Sequence, residues 1–149
     1  MLTENASPFD ILLVEDEPAD ANLVRSALKA NKVFCTLHHV LDGVDALAFL
    51  RRQGEHYKDA PQPDLILLDL NMPRMNGREF LAEIKKAPAL TAIPVVVLTT
   101  SDVERDVVAS YKLGAAGYIT KPVDMEQFLD AIRQLDNYWF VLARLPKKN

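Results

Sequence analysis

The sequence predicts an α/β domain: a doubly wound, five-stranded parallel sheet with helices on both faces. Three observations carry that prediction. Apolar runs of strand length alternate with helical periodicities five times along 149 residues. Three of those runs are near-continuous rather than alternating, which marks strands buried on both faces. Charged and hydroxyl residues stand at the ends of the runs, where open parallel sheets bind their ligands.

The strand-like runs are FDILLVE (9–15), VFCTLHHV (33–40), DLILLDL (64–70), IPVVVLTT (93–100) and AAGYIT (115–120). After the first, Pro18 suits the opening turn of a helix, and Leu23, Val24, Ala27 and Leu28 form its apolar stripe. Ala46, Leu47, Phe49 and Leu50 make a second stripe, and Phe80, Leu81 and Ile84 a third. Val107, Val108 and Tyr111 make a weaker fourth, rich in β-branched residues. Phe128, Leu129, Ile132 and Leu135 make a fifth, with Asp124 as the expected N-cap and Gln127 at N3. RRQGEHYKDAPQP (51–63) reads as a polar loop, longer than most such connections. Crossovers in such a sheet are right-handed, and the strand order 2-1-3-4-5 fits the chain length.

Composition narrows the function. Hydrophobic residues at 49% and charged residues at 26% suit one globular domain with a full core. A formal net charge of −4 gives no nucleic-acid footprint, and the terminal PKKN reads as a solvated end. No apolar run approaches the roughly 20 residues that span a bilayer. MLTENASPFD lacks the basic and apolar regions of a signal peptide. The single cysteine, Cys35, excludes an internal disulfide and reads as a buried small hydrophobe. A cytoplasmic location, with no membrane and no nucleic-acid partner, is the expectation.

The strand ends carry the chemistry. The first run ends in Glu15 and Asp16, the third in Asp69, the fourth in Thr99 and Thr100, the fifth in Thr120, Lys121 and Pro122. If strands one, three, four and five are neighbours, these groups converge. Crowded carboxylates repel unless a cation intervenes. An all-oxygen set suits Mg²⁺, which takes one or two carboxylates and keeps several waters. Zinc fits poorly, because His38 and His39 point to opposite faces of a strand and His56 stands alone in a loop. With a metal bound, Asp69 can attack a phosphoryl group and form an acyl phosphate. Lys121 would supply positive charge and Thr99 a hydroxyl to the phosphoryl oxygens. Taken singly, each feature has an ordinary reading: a turn aspartate, a loop Lys-Pro, a helix start. Together they would need four coincidences on one rim.

LLVEDEPAD, LILLDLNMPRMNG, VVVLTT and GAAGYITKPV, in that order and spacing, resemble the receiver domain of two-component response regulators. The likeness covers roughly residues 9 to 136. It implies a flavodoxin-like receiver fold with Asp69 as phosphoacceptor and a histidine kinase as phosphodonor. It further implies a Mg²⁺ site from Glu15, Asp16, Asp69 and the Asn71 backbone carbonyl, the first acid acting through water. Thr99 would be the switch hydroxyl, Tyr118 the rotating aromatic and Lys121 the phosphate partner. On phosphorylation Thr99 would move towards the phosphoryl group and Tyr118 would turn inward. The surface of the fourth helix (102–114) and fifth strand would change with it. Thr100 departs from the smaller Ala or Gly common after the switch threonine, which bears on phosphate lifetime. YKDAPQPDLILLDLNMP and NYWFVLARLP are similar to cyanobacterial single-domain regulators that serve phytochrome histidine kinases.

The division expected is a flexible 1–8, a receiver over 9–136 and an aromatic extension over 137–149. That extension either lengthens the last helix or pairs two copies, and the homodimer is the favoured reading. The protein is expected to be a phosphoacceptor with at most slow self-catalysed turnover, not an enzyme. Two alternatives are an aspartyl-nucleophile phosphohydrolase and a phosphorylation-independent docking module. The first would need an acid two residues after Asp69, where Asn71 stands, and the second sits badly with an intact Asp69, Lys121 and acidic pair. A nucleotide or flavin site would need a Gly-rich turn where EDEPAD stands. The cis or trans form of the Lys121–Pro122 bond is left open.

Overall fold

The computed structural model describes residues 9–30, 35–70, 72, 74–99, 114–121 and 126–127. Its five strands are β1 (Phe9–Val14), β2 (Cys35–Val40), β3 (Leu65–Asp69), β4 (Val95–Thr99) and β5 (Gly117–Thr120). They form one sheet in the order β2-β1-β3-β4-β5, and every pairing is parallel. Both the class and the order predicted from sequence are therefore found. Five described helices accompany the sheet: α1 (Pro18–Ala30), α2 (Gly43–Leu50), α3 (Gly54–Tyr57), α4 (Gly77–Lys85) and α5 (Pro88–Thr91).

The near-continuous apolar strands are explained by two cores, one on each face. Alternate side chains of a strand point to opposite faces. Ile11, Leu13, Leu65, Leu67, Val96, Leu98 and Ile119 meet Ala21, Val24 and Leu28 of α1. Leu12, Val14, Ile66, Leu68, Val95 and Val97 meet Ala46, Leu47 and Phe49 of α2 and Phe80, Leu81 and Ile84 of α4. All five residues of β3 are buried. Full burial of one such leucine stabilises the fold by about 1.5–3 kcal/mol, so both faces of β3 are firmly held.

Local chemistry sets the helix starts. Pro18 opens α1, with Asp20 in its first turn and Lys29 in its last, each favourable to the helix dipole. Asp42 caps α2 by accepting from the Asp45 backbone N–H at 2.9 Å. Asn76 and Glu79 form a reciprocal capping box on α4. Two short helices depart from the sequence reading. Residues 51–63, expected as loop, contain α3, and α5 precedes β4 with a proline at its start. Cys35 lies at the rim of a core rather than within it, half-buried, and burial pushes its thiol upward, with the nearby Asp10 charge adding to the effect. The helical stripes expected at 107–111 and 128–135, and the segments 1–8 and 137–149, lie outside the described residues. No described helix is long and apolar enough to cross a membrane.

Candidate phosphoacceptor site

The alternation along the strands aims the charged groups. Ile11 and Leu13 face α1, and Glu15 continues their parity just beyond β1. Leu65 and Leu67 do the same for Asp69, and Ile119 for Lys121. Three strands thus deliver their terminal side chains to one face, at the carboxyl edge of the sheet, beside the start of α1.

There the acids converge. Glu15, Asp16 and Asp69 each place a carboxylate oxygen within 4.8 Å of the others. Glu15 is fully buried and Asp69 is 6% exposed. The ammonium of Lys121 lies 2.8 Å from Glu15 Oε1, 3.5 Å from Asp69 Oδ1, and donates to Asp20 Oδ2 at 3.0 Å. The expected acidic pair, phosphoacceptor and lysine are therefore brought together. Asp20 was not anticipated. Its only signal in the sequence is an acid in the first helical turn, which reads as a dipole partner.

Charge crowding shows in the titration of these groups. Burial pushes the Glu15 carboxyl up to about 7, and the negative charge of Asp69 adds to this, while Lys121 and the Glu17 backbone N–H pull the other way without cancelling it. Burial works against the Lys121 ammonium, yet Glu15, Asp20 and Asp69 outweigh it and hold the amine protonated above its usual range. Glu15 Oε1 is buried, and the Lys121 ammonium meets it at 2.8 Å as a charge-assisted contact that leaves a lone pair of the oxygen unused. Glu15 Oε2 accepts from the Glu17 backbone N–H at 3.2 Å. A buried oxygen with unused acceptor capacity, among carboxylates sharing one ammonium, fits a hard divalent cation.

The connection from β3 to α4 is held at both ends. Gly77 N–H donates to the Leu70 carbonyl at 3.0 Å, and a Cβ on Gly77 would stand 2.7 Å from the Asp69 carbonyl oxygen. Glycine is required there by close approach. Gly43 N–H donates to the Met75 carbonyl at 2.9 Å. Arg74, in left-handed backbone at φ 58°, donates from Nε to Asp42 Oδ2 at 2.7 Å and from its guanidinium to Asp45 Oδ1 at 3.3 Å. The Asp42 carboxyl is held below its ordinary value: burial acts to raise it, and the Asp45 N–H and Arg74 outweigh that effect. This clasp between residues 32 apart was not foreseen. His39 was also missed as a neighbour of the site, its Nε2 lying 2.7 Å from the Glu15 carbonyl. His38 pairs instead with Asp10 at 2.9 Å and packs on Phe49, so the two histidines part as expected.

Tyr118 is 45% exposed on β5. Thr99 ends β4; its side chain, Asn71, Thr100 and Pro122 lie outside what the structure describes.

The family model described as the response regulator receiver domain matches residues 11–133. The chain belongs to this family. This receiver is 47% identical over 146 residues to the response regulator Rcp1 of a Synechocystis species, covering 98% of this chain and 99% of that one. Among solved structures, the Mn²⁺-bound form of Rcp1 is 46% identical with a TM-score of 0.73, covering 94% of this receiver and all of that chain. The phosphorylated cyanobacterial phytochrome response regulator RcpA is 45% identical with a TM-score of 0.75, covering 95% and 100%. The acidic cluster of this receiver is consistent with a divalent-metal site.

Proposed function

We propose that this receiver accepts a phosphoryl group on Asp69 from a histidine kinase, of the phytochrome type, and passes the signal on as a change of surface. The observation that carries the reading is Lys121 meeting Glu15 and Asp69 at one strand-end rim. A carboxylate oxygen of Asp69 would attack phosphorus, the bond from phosphorus to the donor histidine nitrogen would break, and its electron pair would leave with the imidazole. Mg²⁺, held by Asp16, Asp69 and the Asn71 carbonyl with Glu15 acting through water, would offset charge on the phosphoryl oxygens when bound. Lys121, held protonated by its acidic neighbours, supplies a cation 3.5 Å from the nucleophile. Thr99 would be drawn to the phosphoryl group, and Tyr118, outward in this structure, would turn inward.

The phytochrome link rests on the similarity to Rcp1 and RcpA across nearly the whole of each chain. We assign the receiver role to residues 9–136 and a self-pairing role to the aromatic stretch 137–149, acting in the cytoplasm. The protein works as a phosphoacceptor with at most slow self-catalysed turnover, rather than as an enzyme. The deciding experiment is intact mass after incubation with Mg²⁺ and acetyl phosphate, beside Asp69→Asn. One phosphoryl group on the parent, Mg²⁺-dependent and absent from the variant, is the expected result. An adduct that survives in the variant would overturn the assignment of Asp69. Sedimentation of a chain ending at Leu135 tests the pairing, which an unchanged oligomeric state would exclude.

A further inference from the structure

We propose that His39 is a positioning residue for the metal site, acting through the backbone between Glu15 and Asp16. The inference rests on the proposed reading of the acidic cluster and extends it to a residue outside that cluster. The β1–β2 ladder pairs Leu13 with His39 and Val14 with Val40, and there it stops. Glu15 N–H still finds the Val40 carbonyl at 3.0 Å. In a longer parallel ladder the Glu15 carbonyl would accept from the next N–H along β2. The chain has instead turned away into Asp42, the N-cap of α2. His39 fills the gap, its Nε2 2.7 Å from that carbonyl oxygen. A carbonyl only accepts, so Nε2 carries the proton.

The consequence falls on Asp16. The Glu15 carbonyl belongs to the Glu15–Asp16 peptide plane. Fixing that oxygen fixes the plane, and the plane sets the direction in which the Asp16 side chain leaves the backbone. Glu15 is thereby held at its N–H, its carbonyl and its side-chain Oε2. Asp16, partly exposed and past the end of the strand, draws its orientation from this anchorage. Partners that orient metal ligands typically change metal affinity by about 10–100-fold when removed.

The test measures Mg²⁺ affinity by titration calorimetry for the parent, His39→Leu, His39→Gln and Asp16→Asn, beside thermal unfolding of each in EDTA. His39→Leu keeps bulk and loses the donor; His39→Gln keeps a donor. We expect His39→Leu to bind Mg²⁺ about tenfold more weakly, His39→Gln to stay near the parent, and the EDTA melting temperatures not to follow that order. Parent-like affinity in His39→Leu would overturn the proposal, and so would equal losses in the leucine and glutamine variants. Asp16→Asn separates the two levels: if it abolishes binding while His39→Leu keeps the affinity of the parent, the metal site stands and the positioning role falls. If the parent itself binds no Mg²⁺, both fall.

Discussion

Removing the negative charge of Asp69 should stabilise the metal-free protein, although it removes the group on which the proposed function depends. Asp69→Asn keeps size and shape and deletes one charge. In the parent that charge faces carboxylate oxygens of Glu15 and Asp16 within 4.8 Å and the Lys121 ammonium at 3.5 Å. At an effective dielectric of about 20, each repulsion is worth about 3.5 kcal/mol and the attraction about 5 kcal/mol. The two repulsions therefore exceed the Lys121 attraction by about 2 kcal/mol, and solvent around the partly exposed Asp16 reduces the difference to about 1–2 kcal/mol. For a chain of this size that is a rise of roughly 3–6 °C in melting temperature. The assay is thermal unfolding in EDTA at low salt and pH 8, where Glu15, at about 7, is largely ionised. Saturating Mg²⁺ should narrow or reverse the difference, because ligand that binds only the folded state stabilises it by mass action. An Asp69→Asn protein that melts below the parent in EDTA would refute the reasoning and show that contacts of the carboxylate outweigh its repulsion.

Three further outcomes follow from the same geometry. Glu15 has a folded value of about 7 against an ordinary 4.5, so the folded state holds a proton that the unfolded chain has released. The stability this confers is full below pH 4.5 and lost as pH rises through about 7; urea midpoints in EDTA across that range should fall, and Glu15→Gln should flatten the slope. Asp42→Ala removes the α2 cap and should cost about 1–2 kcal/mol, whereas Asp42→Asn keeps a capping oxygen and should lose less; equal losses in urea unfolding would put the effect outside the cap. Gly77→Ala forces a Cβ to within 2.7 Å of the Asp69 carbonyl oxygen and Leu70 Cα, so unfolding should be easier by about 1–3 kcal/mol, and an unchanged urea midpoint would contradict the packing described.

Much of this fold was legible because burial on two faces leaves a direct mark on sequence. ILLV, LILL and VVVL are uninterrupted because both alternating sets of side chains meet a core. The converging Glu15, Asp16, Asp69 and Lys121 were legible because each stands at the end of a strand-length run, so strand order alone places them on one rim. What escaped depends on contacts without period. Asp20 and Lys121 are 101 residues apart, and Asp42 and Arg74 are 32 apart. Neither pairing leaves a local pattern. His39 reads from sequence as an ordinary surface or core histidine, and its bond to a backbone carbonyl depends on where a strand stops. The helices α3 and α5 are four residues each, too short to show an apolar stripe.

The shared parity of Glu15, Asp69 and Lys121 has a consequence for how such a sequence can diverge in length. Adding or removing residues in the 51–63 connection leaves each strand's count intact and so preserves the rim. A single-residue insertion within β3, between two positions anchored to the cores, would exchange the two faces downstream. It would carry Leu68 to the rim position and send Asp69 towards the α2–α4 side. A two-residue change would restore the face but shift the carboxylate along the strand by roughly 6–7 Å, far beyond the 3.5 Å that now separates it from Lys121. The site is therefore encoded partly as a counting rule, indifferent to loop length and intolerant of any change in the number of residues inside its strands.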